Sequence, residues 1–204
     1  MSERYVAVEG RRVRYLAGGS GRPVVLLHGW SFNADTWVES GVFNSLASHF
    51  AVYAIDMPYG IKTKSERFQA PRREYAVFLR RVLDALGLVD PPLVGPSASG
   101  EVVLWYVARR LPTRAAVVVG PVGLVDELLK ELRGAGVPIL AVWGERDEVS
   151  PPSKASLLRD LAKVVVLRDA VAKVVVLRDA GHAAYLDKPG EFVEAVLDFL
   201  RGVY

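Results

Sequence analysis

The chain has 204 residues, of which 51% are hydrophobic and 24% are charged, and this balance allows one folded domain with a sizeable core. It contains no cysteine, which excludes disulfides, zinc–thiolate sites and cysteine nucleophiles. The net charge is only +3, the basic residues are scattered, and no apolar run is long enough to cross a membrane, so we expect neither nucleic-acid binding nor membrane insertion.

Strands and helices alternate along the whole chain. Two short runs, Tyr5–Glu9 and Arg12–Leu16, predict an opening hairpin. Apolar runs then predict buried strands, and apolar residues at helical spacing predict the connecting helices. The remaining predicted elements are strand Val24–Leu27, a helix from about Thr36, strand Ala51–Ile55, helix Arg73–Leu86, strand Leu93–Val94, helix Glu101–Arg110, strand Ala115–Val119, helix Val125–Arg133, strand Val137–Trp143, strand Val174–Leu177 and helix Glu191–Arg201. This order is typical of a single α/β domain, residues 1–204, with a mainly parallel sheet flanked by helices on both faces.

The stretch from Leu93 to Gly100 predicts a strand, a sharp turn with a serine at its tip, and a helix. Such an elbow exposes a serine hydroxyl as a nucleophile, and small residues two positions before and after the serine let strand and helix pass closely. Around Ser97 those positions hold Gly95 and Ser99, whereas around Ser99 one of them is the bulky Glu101. Ser97 is therefore the predicted nucleophile, although Ser99 stands where the usual pattern has a second glycine.

The chain offers three histidines as a general base for the serine. His49 ends an amphipathic stretch and fits a surface helix. His28 ends an apolar strand, where it is expected to fix a loop by hydrogen bonding. His182 follows a predicted strand on a loop, from which it can reach a serine on a neighbouring strand. By elimination, His182 is the predicted base.

The acid that orients the histidine is predicted in the loop after strand Val137–Trp143. Asp147 lies just past the strand end, and Glu145 and Glu148 are near enough to compete. A solvated acidic loop is the simpler alternative for all three carboxylates. The chain order Ser97, Asp147, His182 is the nucleophile–acid–base order of one fold in particular.

These motifs together resemble the α/β-hydrolase superfamily over nearly the whole chain. His28-Gly29-Trp30 resembles its oxyanion loop, Asp56–Gly60 the turn after its next strand, Trp143–Asp147 its acid loop and Gly181-His182 its base loop. The stretch from His28 to Trp37 is similar to carboxylesterases that act on pimeloyl-carrier-protein methyl esters.

The resemblance implies the α/β-hydrolase fold and an oxyanion hole formed by the backbone N–H groups of Trp30 and Ala98. Ala98 lies at a predicted helix N-terminus, which favours negative charge. The segment between strands Ala115–Val119 and Val137–Trp143 is too short for the helical lid that most family members insert there. We therefore expect a minimal or absent lid and a shallow substrate pocket. Its predicted lining residues are Trp30, Leu124, Val125 and Tyr185.

Residues 161–170 and 171–180 form a tandem repeat of ten residues that differs only at Leu161 and Val171. Such near-identity indicates a recent or engineered duplication rather than a solenoid. The two copies compete for one strand position, and the second runs directly into Gly181-His182.

We therefore predict that Val174–Leu177 occupies the sheet, because this register keeps His182 at its normal distance from the strand end. Val164–Leu167 of the first copy must then add at the sheet edge, continue a predicted helix that starts near Ser153, or pair with another chain. Self-association through the duplicated strand is thus one expectation.

These residues predict a serine esterase that cleaves small-molecule carboxylic esters of small or medium acyl groups, with no cofactor and no metal. Perhydrolysis or cofactor-free haloperoxidase chemistry on the same triad is an alternative, and a non-catalytic ligand-binding member of the fold is another. A serine rather than an aspartate at the elbow disfavours a haloalkane dehalogenase. The N-terminal residues lack an apolar signal core, which predicts a cytoplasmic protein. Scarce methionine and abundant arginine and valine favour a thermophilic origin.

Overall fold

The computed structural model describes residues 1–163 and 172–204, and its centre is a sheet of eight strands. The strand order across the sheet is β1-β2-β4-β3-β5-β6-β7-β8. The first two strands pair antiparallel, as do β2 and β4, and all later neighbours pair parallel. The strands are β1 Ser2–Val8, β2 Arg11–Gly18, β3 Pro23–Leu27, β4 Ala51–Ile55, β5 Leu93–Pro96, β6 Ala116–Val119, β7 Ile139–Gly144 and β8 Ala172–Leu177.

Eight helices cover the two faces of this sheet within the described part of the chain. They are α1 Asp35–Glu39, α2 Val42–Ala47, α3 Arg72–Ala85, α4 Ala98–Ala108, α5 Asp126–Leu132, α6 Ala155–Lys163, α7 Ala184–Asp187 and α8 Pro189–Arg201. One core contains the apolar sides of α3, α4, α5 and α6, and a second contains those of α1, α2, α7 and α8. The central strands are apolar on both sides because they face both cores.

Helix α4, which follows the predicted elbow, is almost completely buried. Every residue of it is buried except Glu101, because the helix packs between the sheet and its neighbours α3 and α5. A helix that is apolar nearly all round is stable only in such a position. The amino end of α4 is therefore held rigidly at the carboxyl end of β5.

The predicted α/β class and order of elements are confirmed, with two local differences. The single helix expected from about Thr36 is divided into α1 and α2 at Gly41. The backbone makes a left-handed turn there, with a φ of 78° that glycine adopts readily. The four-residue helix α7 was not predicted, because one turn is too short to give a helical period in the sequence.

The second copy of the duplicated segment occupies the sheet, as predicted. Val174 lies opposite Ala141 and Leu177 opposite Gly144 in the parallel pairing of β8 with β7. Helix α6 is described as far as Lys163, so it includes the first three residues of the first copy. Val164–Leu167 lies outside the described residues.

None of the described helices combines the length and the apolar composition that crossing a bilayer requires.

Candidate active site

Ser97 lies at the turn between β5 and α4 in a strained backbone conformation. Its φ is 52° and its ψ is −116°, a region that costs a non-glycine residue about 1–3 kcal/mol. The turn closes because Gly95 has no side chain: a Cβ there would approach the backbone oxygen of Ser99 to 2.5 Å. A Cβ on Gly100 would likewise approach the Cβ of Pro121 to 2.9 Å. Small residues on both sides of Ser97 are thus a steric requirement of the elbow.

The loops after β7 and β8 bring the predicted acid and base to this serine. His182 Nε2 lies 2.9 Å from Ser97 Oγ, and His182 Nδ1 lies 2.9 Å from both carboxylate oxygens of Asp147. A carboxylate only accepts hydrogen bonds, so Nδ1 of a neutral His182 carries the proton and Nε2 offers its lone pair to the serine hydroxyl. This is the protonation state that a general base requires.

Asp147 is distinguished from its neighbouring carboxylates by burial. Its side chain is enclosed, and Oδ1 also accepts hydrogen bonds from the backbone N–H groups of Val149 (3.0 Å) and Ser150 (2.8 Å). Glu145 and Glu148 are exposed, and Glu145 accepts a hydrogen bond from the backbone of Asp179 instead. The structure therefore brings Asp147 together with His182, and leaves the two glutamates in solvent.

Two glycines allow the acid and base loops to meet. A Cβ on Gly120 would lie 2.6 Å from Asp147 Oδ2 and 3.2 Å from His182 Nδ1. A Cβ on Gly144 would collide with the backbone oxygen of Gly181. The loops are also joined directly, because the N–H of Glu145 donates to the carbonyl of Leu177 at 2.9 Å. The position of His182 is therefore fixed by the end of β8.

A small cavity of about 70 Å³ opens beside the serine. Trp30 and Tyr185, both predicted to line the pocket, are part of its wall, whereas Leu124 and Val125 are not among its lining residues and stay predictions. The lining residues are Gly29, Trp30, Ser31, Phe32, Pro96, Ser97, His182, Ala183 and Tyr185. Pockets for drug-sized ligands are several times larger, so this cavity suits a group of a few atoms.

The predicted oxyanion donors lie on the two segments that flank Ser97. Ala98 is the first residue of α4, and Trp30 is in the loop after β3. Within the described chain, neither backbone N–H donates a hydrogen bond to another residue. Both donors are thus available to a developing negative charge at the serine.

His28 fixes the loop that carries Trp30. The imidazole is fully buried; its Nε2 accepts from the N–H of Met57 and its Nδ1 donates to the carbonyl of Gly29, both at 2.9 Å. Burial lowers the pKa of His28, so the ring is neutral, as this pair of hydrogen bonds requires. The sequence-based expectation that His28 fixes a loop agrees with these contacts.

The lowered pKa of His28 predicts a pH-dependent stability. Below about pH 6.5 this histidine becomes protonated in the unfolded chain but stays neutral in the folded chain. The stability that it contributes above that pH is therefore lost as the pH falls. We expect the free energy of unfolding of the wild type to fall by up to about 1.4 kcal/mol per pH unit more than that of His28→Gln. Urea denaturation from about pH 7.5 to pH 5 measures this.

The matched control for this prediction is His49→Gln, which changes an exposed histidine. Its curve should follow that of the wild type. If the wild type and His28→Gln lose stability in parallel, the buried histidine is not responsible.

A buried ion network, which the sequence does not reveal, also holds the loop that carries Trp30. Arg14 and Asp56 are almost fully enclosed, with Arg14 Nη1 3.1 Å from Asp56 Oδ2. Arg14 also pairs with Asp35 at 2.6 Å, and Asp56 accepts from the backbone N–H of Ala34. Ala34 and Asp35 follow the Trp30 loop directly, so these contacts hold its far end.

No group of three or more histidine, aspartate or glutamate side chains in residues 1–163 and 172–204 has the arrangement of a metal site.

An eight-stranded, mostly parallel sheet with a serine elbow and acid and base loops at its carboxyl edge defines an α/β hydrolase. A family model for the alpha/beta hydrolase fold matches residues 22–131, and the chain belongs to that family.

Among proteins similar to this chain, the putative protein-lysine deacylase ABHD14B of Homo sapiens is 32% identical over 210 residues, which cover 97% of the chain and 94% of the relative. Protein ABHD14A of Danio rerio is 34% identical over 180 residues, or 87% of the chain, but the chain spans only 63% of that relative's length. The crystal structure of a predicted CIB-like hydrolase from Thermoplasma acidophilum has a TM-score of 0.84 at 26% identity and covers 98% of this chain and 97% of its own.

Proposed function

We propose that the chain is a serine hydrolase that cleaves short-chain carboxylic esters through an acyl-enzyme. The observation that supports this most directly is the continuous hydrogen-bonded series Ser97–His182–Asp147, with each contact at 2.9 Å. A serine hydroxyl is a weak nucleophile unless a base accepts its proton, and the series supplies that base with its orienting acid.

In the first half of the proposed reaction, His182 Nε2 accepts the proton of Ser97 as its oxygen attacks the ester carbonyl. The carbonyl oxygen becomes negative and is stabilised by the N–H groups of Trp30 and Ala98. His182 then gives the proton to the leaving alcohol as the ester C–O bond breaks. In the second half, His182 deprotonates a water molecule that attacks the acyl-enzyme, and returns that proton to Ser97 as the acid leaves.

Labelling with a fluorophosphonate tests the reaction class. The serine oxygen of an activated serine displaces fluoride from this probe and becomes phosphonylated, so the wild type should be modified at Ser97 and hydrolyse p-nitrophenyl acetate. A protein that binds ligands without catalysis would remain unmodified. If hydrogen peroxide diverted the acyl group to a peracid faster than water did, the assignment would change from esterase to perhydrolase.

The cavity supports a short acyl group as the substrate. Only a few non-hydrogen atoms fit in about 70 Å³ beside Ser97, and the seven-carbon chain of a pimeloyl ester would extend out of it. Between β6 and β7 the chain has the single seven-residue helix α5, which supports our proposal that no helical lid covers longer substrates.

We therefore predict a preference for acetyl to butyryl esters. A fully buried methylene gains about 0.8 kcal/mol, or roughly fourfold in affinity, but a methylene outside the cavity gains little of this. Measured on p-nitrophenyl esters of two to twelve carbons, kcat/KM should stop rising by about four carbons. A steady increase to twelve carbons would contradict a short acyl pocket.

Hydrolysis of acyl-lysine amides is a second candidate, favoured by similarity to proteins named as putative protein-lysine deacylases, at 31–33% identity. The same residues suffice, because His182 can protonate a leaving amine as it does an alcohol. An acetyl-lysine peptide assayed beside p-nitrophenyl acetate separates the two. Substantial release of acetate from the peptide, absent in Ser97→Ala, would favour the deacylase.

A further inference from the structure

Ser99 stands where the elbow pattern of this fold has its second glycine, and its hydroxyl is not idle. The side chain is completely buried; Oγ donates a hydrogen bond to the carbonyl oxygen of His28 and accepts one from the hydroxyl of Tyr59. A buried hydroxyl with both roles satisfied is a fixed connection rather than a filler.

The first of these bonds joins the two segments that carry the proposed oxyanion donors. Ser99 directly follows Ala98 at the start of α4, and His28 lies two residues before Trp30. The ring of His28 is itself held by Met57 and the Gly29 carbonyl. The bond from Ser99 to the His28 carbonyl therefore ties helix α4 to the base of the Trp30 loop.

Tyr59 provides a second connection to Trp30. Its ring lies parallel to the indole, with an interplanar angle of 1° and centroids 6.4 Å apart. The guanidinium of Arg72 lies 4.8 Å from the Trp30 centroid and 5.2 Å from that of Tyr59, so it contacts both rings. Tyr59 thus connects Ser99 to the side chain of Trp30, whose backbone N–H is one of the proposed oxyanion donors.

An oxyanion hole depends on this kind of spacing. Its donors must lie about 2.7–3.1 Å from the developing oxyanion, and an error of about 0.5 Å is enough to weaken the site. The two donors here belong to segments nearly seventy residues apart in the chain, so something must fix the distance between them.

We propose that Ser99 is a positioning residue, which sets the separation of the Trp30 and Ala98 donors through its bonds to His28 and Tyr59. This inference rests on the proposed function. Ser99 does not touch the substrate. Its removal should weaken stabilisation of the oxyanion and leave substrate binding and the Ser97–His182–Asp147 series in place.

The test compares an aryl acetate with its thionoester, in which sulfur replaces the carbonyl oxygen. Sulfur accepts hydrogen bonds weakly and its bond to carbon is longer, so a hole shaped for oxygen helps the thionoester little. In Ser99→Ala, kcat for the oxygen ester should fall about tenfold or more with KM changed less than about twofold, and the oxygen-to-thiono ratio of kcat/KM should fall at least about fivefold. Tyr59→Phe keeps the ring stacking, removes one bond, and should show a smaller change in the same direction.

The matched control is Thr113→Val, because the Thr113 hydroxyl, like that of Ser99, donates to backbone carbonyl oxygen (Pro91 and Ala115 share its proton), but at the opposite end of the sheet. Its oxygen-to-thiono ratio should equal that of the wild type. If Ser99→Ala lowers both rates equally, or only lowers the melting temperature, Ser99 is a packing residue and the inference is wrong.

If Ser99→Ala does not fold, the oxygen-to-thiono ratio of Tyr59→Phe decides between a positioning role and a packing role. An active wild type with unchanged ratios in both variants would overturn this inference alone. A wild type inactive on every ester would overturn the proposed function and the inference with it.

Discussion

Ser97→Ala should lower kcat/KM for p-nitrophenyl acetate by about a thousandfold or more while the protein remains folded. The variant removes the hydroxyl that lies 2.9 Å from His182 Nε2 and keeps a small side chain at the strained turn. Alanine at a φ of 52° is strained much as serine is, so the melting temperature should change little. Steady-state kinetics and a thermal melt measure the two effects.

Ser45→Ala is the matched control, because Ser45 is an exposed serine on α2 whose hydroxyl donates to the carbonyl of Gly41, away from the candidate site. It should retain full activity and full fluorophosphonate labelling. If Ser97→Ala kept most of its esterase activity and Ser99→Ala lost it, the nucleophile would be the wrong serine.

Asp147→Asn should lower kcat by up to about ten-thousandfold, because it reverses the proton arrangement of His182. The backbone N–H groups of Val149 and Ser150 both donate to Oδ1, so the oxygen of the new amide must stay at that position. The amide NH₂ then takes the place of Oδ2 and donates toward His182 Nδ1. The amide oxygen at Oδ1 also lies 2.9 Å from Nδ1, but the NH₂ hydrogens oppose a proton there, so the ring favours the tautomer with its proton on Nε2, which cannot accept the proton of Ser97.

Glu145→Gln and Glu148→Gln are the controls for this prediction, because both carboxylates are exposed in the same loop. Each should keep kcat within about twofold of the wild type. Equal losses in all three variants would mean that the loop acts through its total charge, and the role of Asp147 would have to be withdrawn.

The sequence predicts most of the fold because its signals are local. Each parallel strand is a short apolar run, and each residue of the candidate site lies in the loop or turn that follows such a run, as Ser97 does after β5 and Asp147 after β7. The carboxyl ends of parallel strands lie along one edge of a sheet, so a residue placed after a strand is also placed in space. The structure was needed to distinguish Asp147 from Glu145 and Glu148, because the burial of a carboxylate in this loop depends on how the loop after β8 packs against it.

Contacts between distant parts of the chain could not be predicted in this way. Arg14 looks like a surface residue in an opening hairpin, yet it is buried against Asp56, which is 42 positions away. Nor does any local pattern show that the hydroxyl of Ser99 reaches His28, because this depends on how closely α4 approaches β3. Charge and hydroxyl partners of this kind follow from the assembled sheet.

Among the strands of the described residues, β8 is the last in the sheet and pairs with β7. No strand of the described residues lies beyond it that would have to shift when residues are added on its amino side. The hydrogen bonds that join the base loop to the acid loop lie at and beyond its carboxyl end, at Leu177 and Ala180. The chain can therefore lengthen by ten residues at this point without altering the site chemistry. This edge of the molecule is a place where evolution or a protein engineer can insert new sequence ahead of a residue as sensitive as a general base.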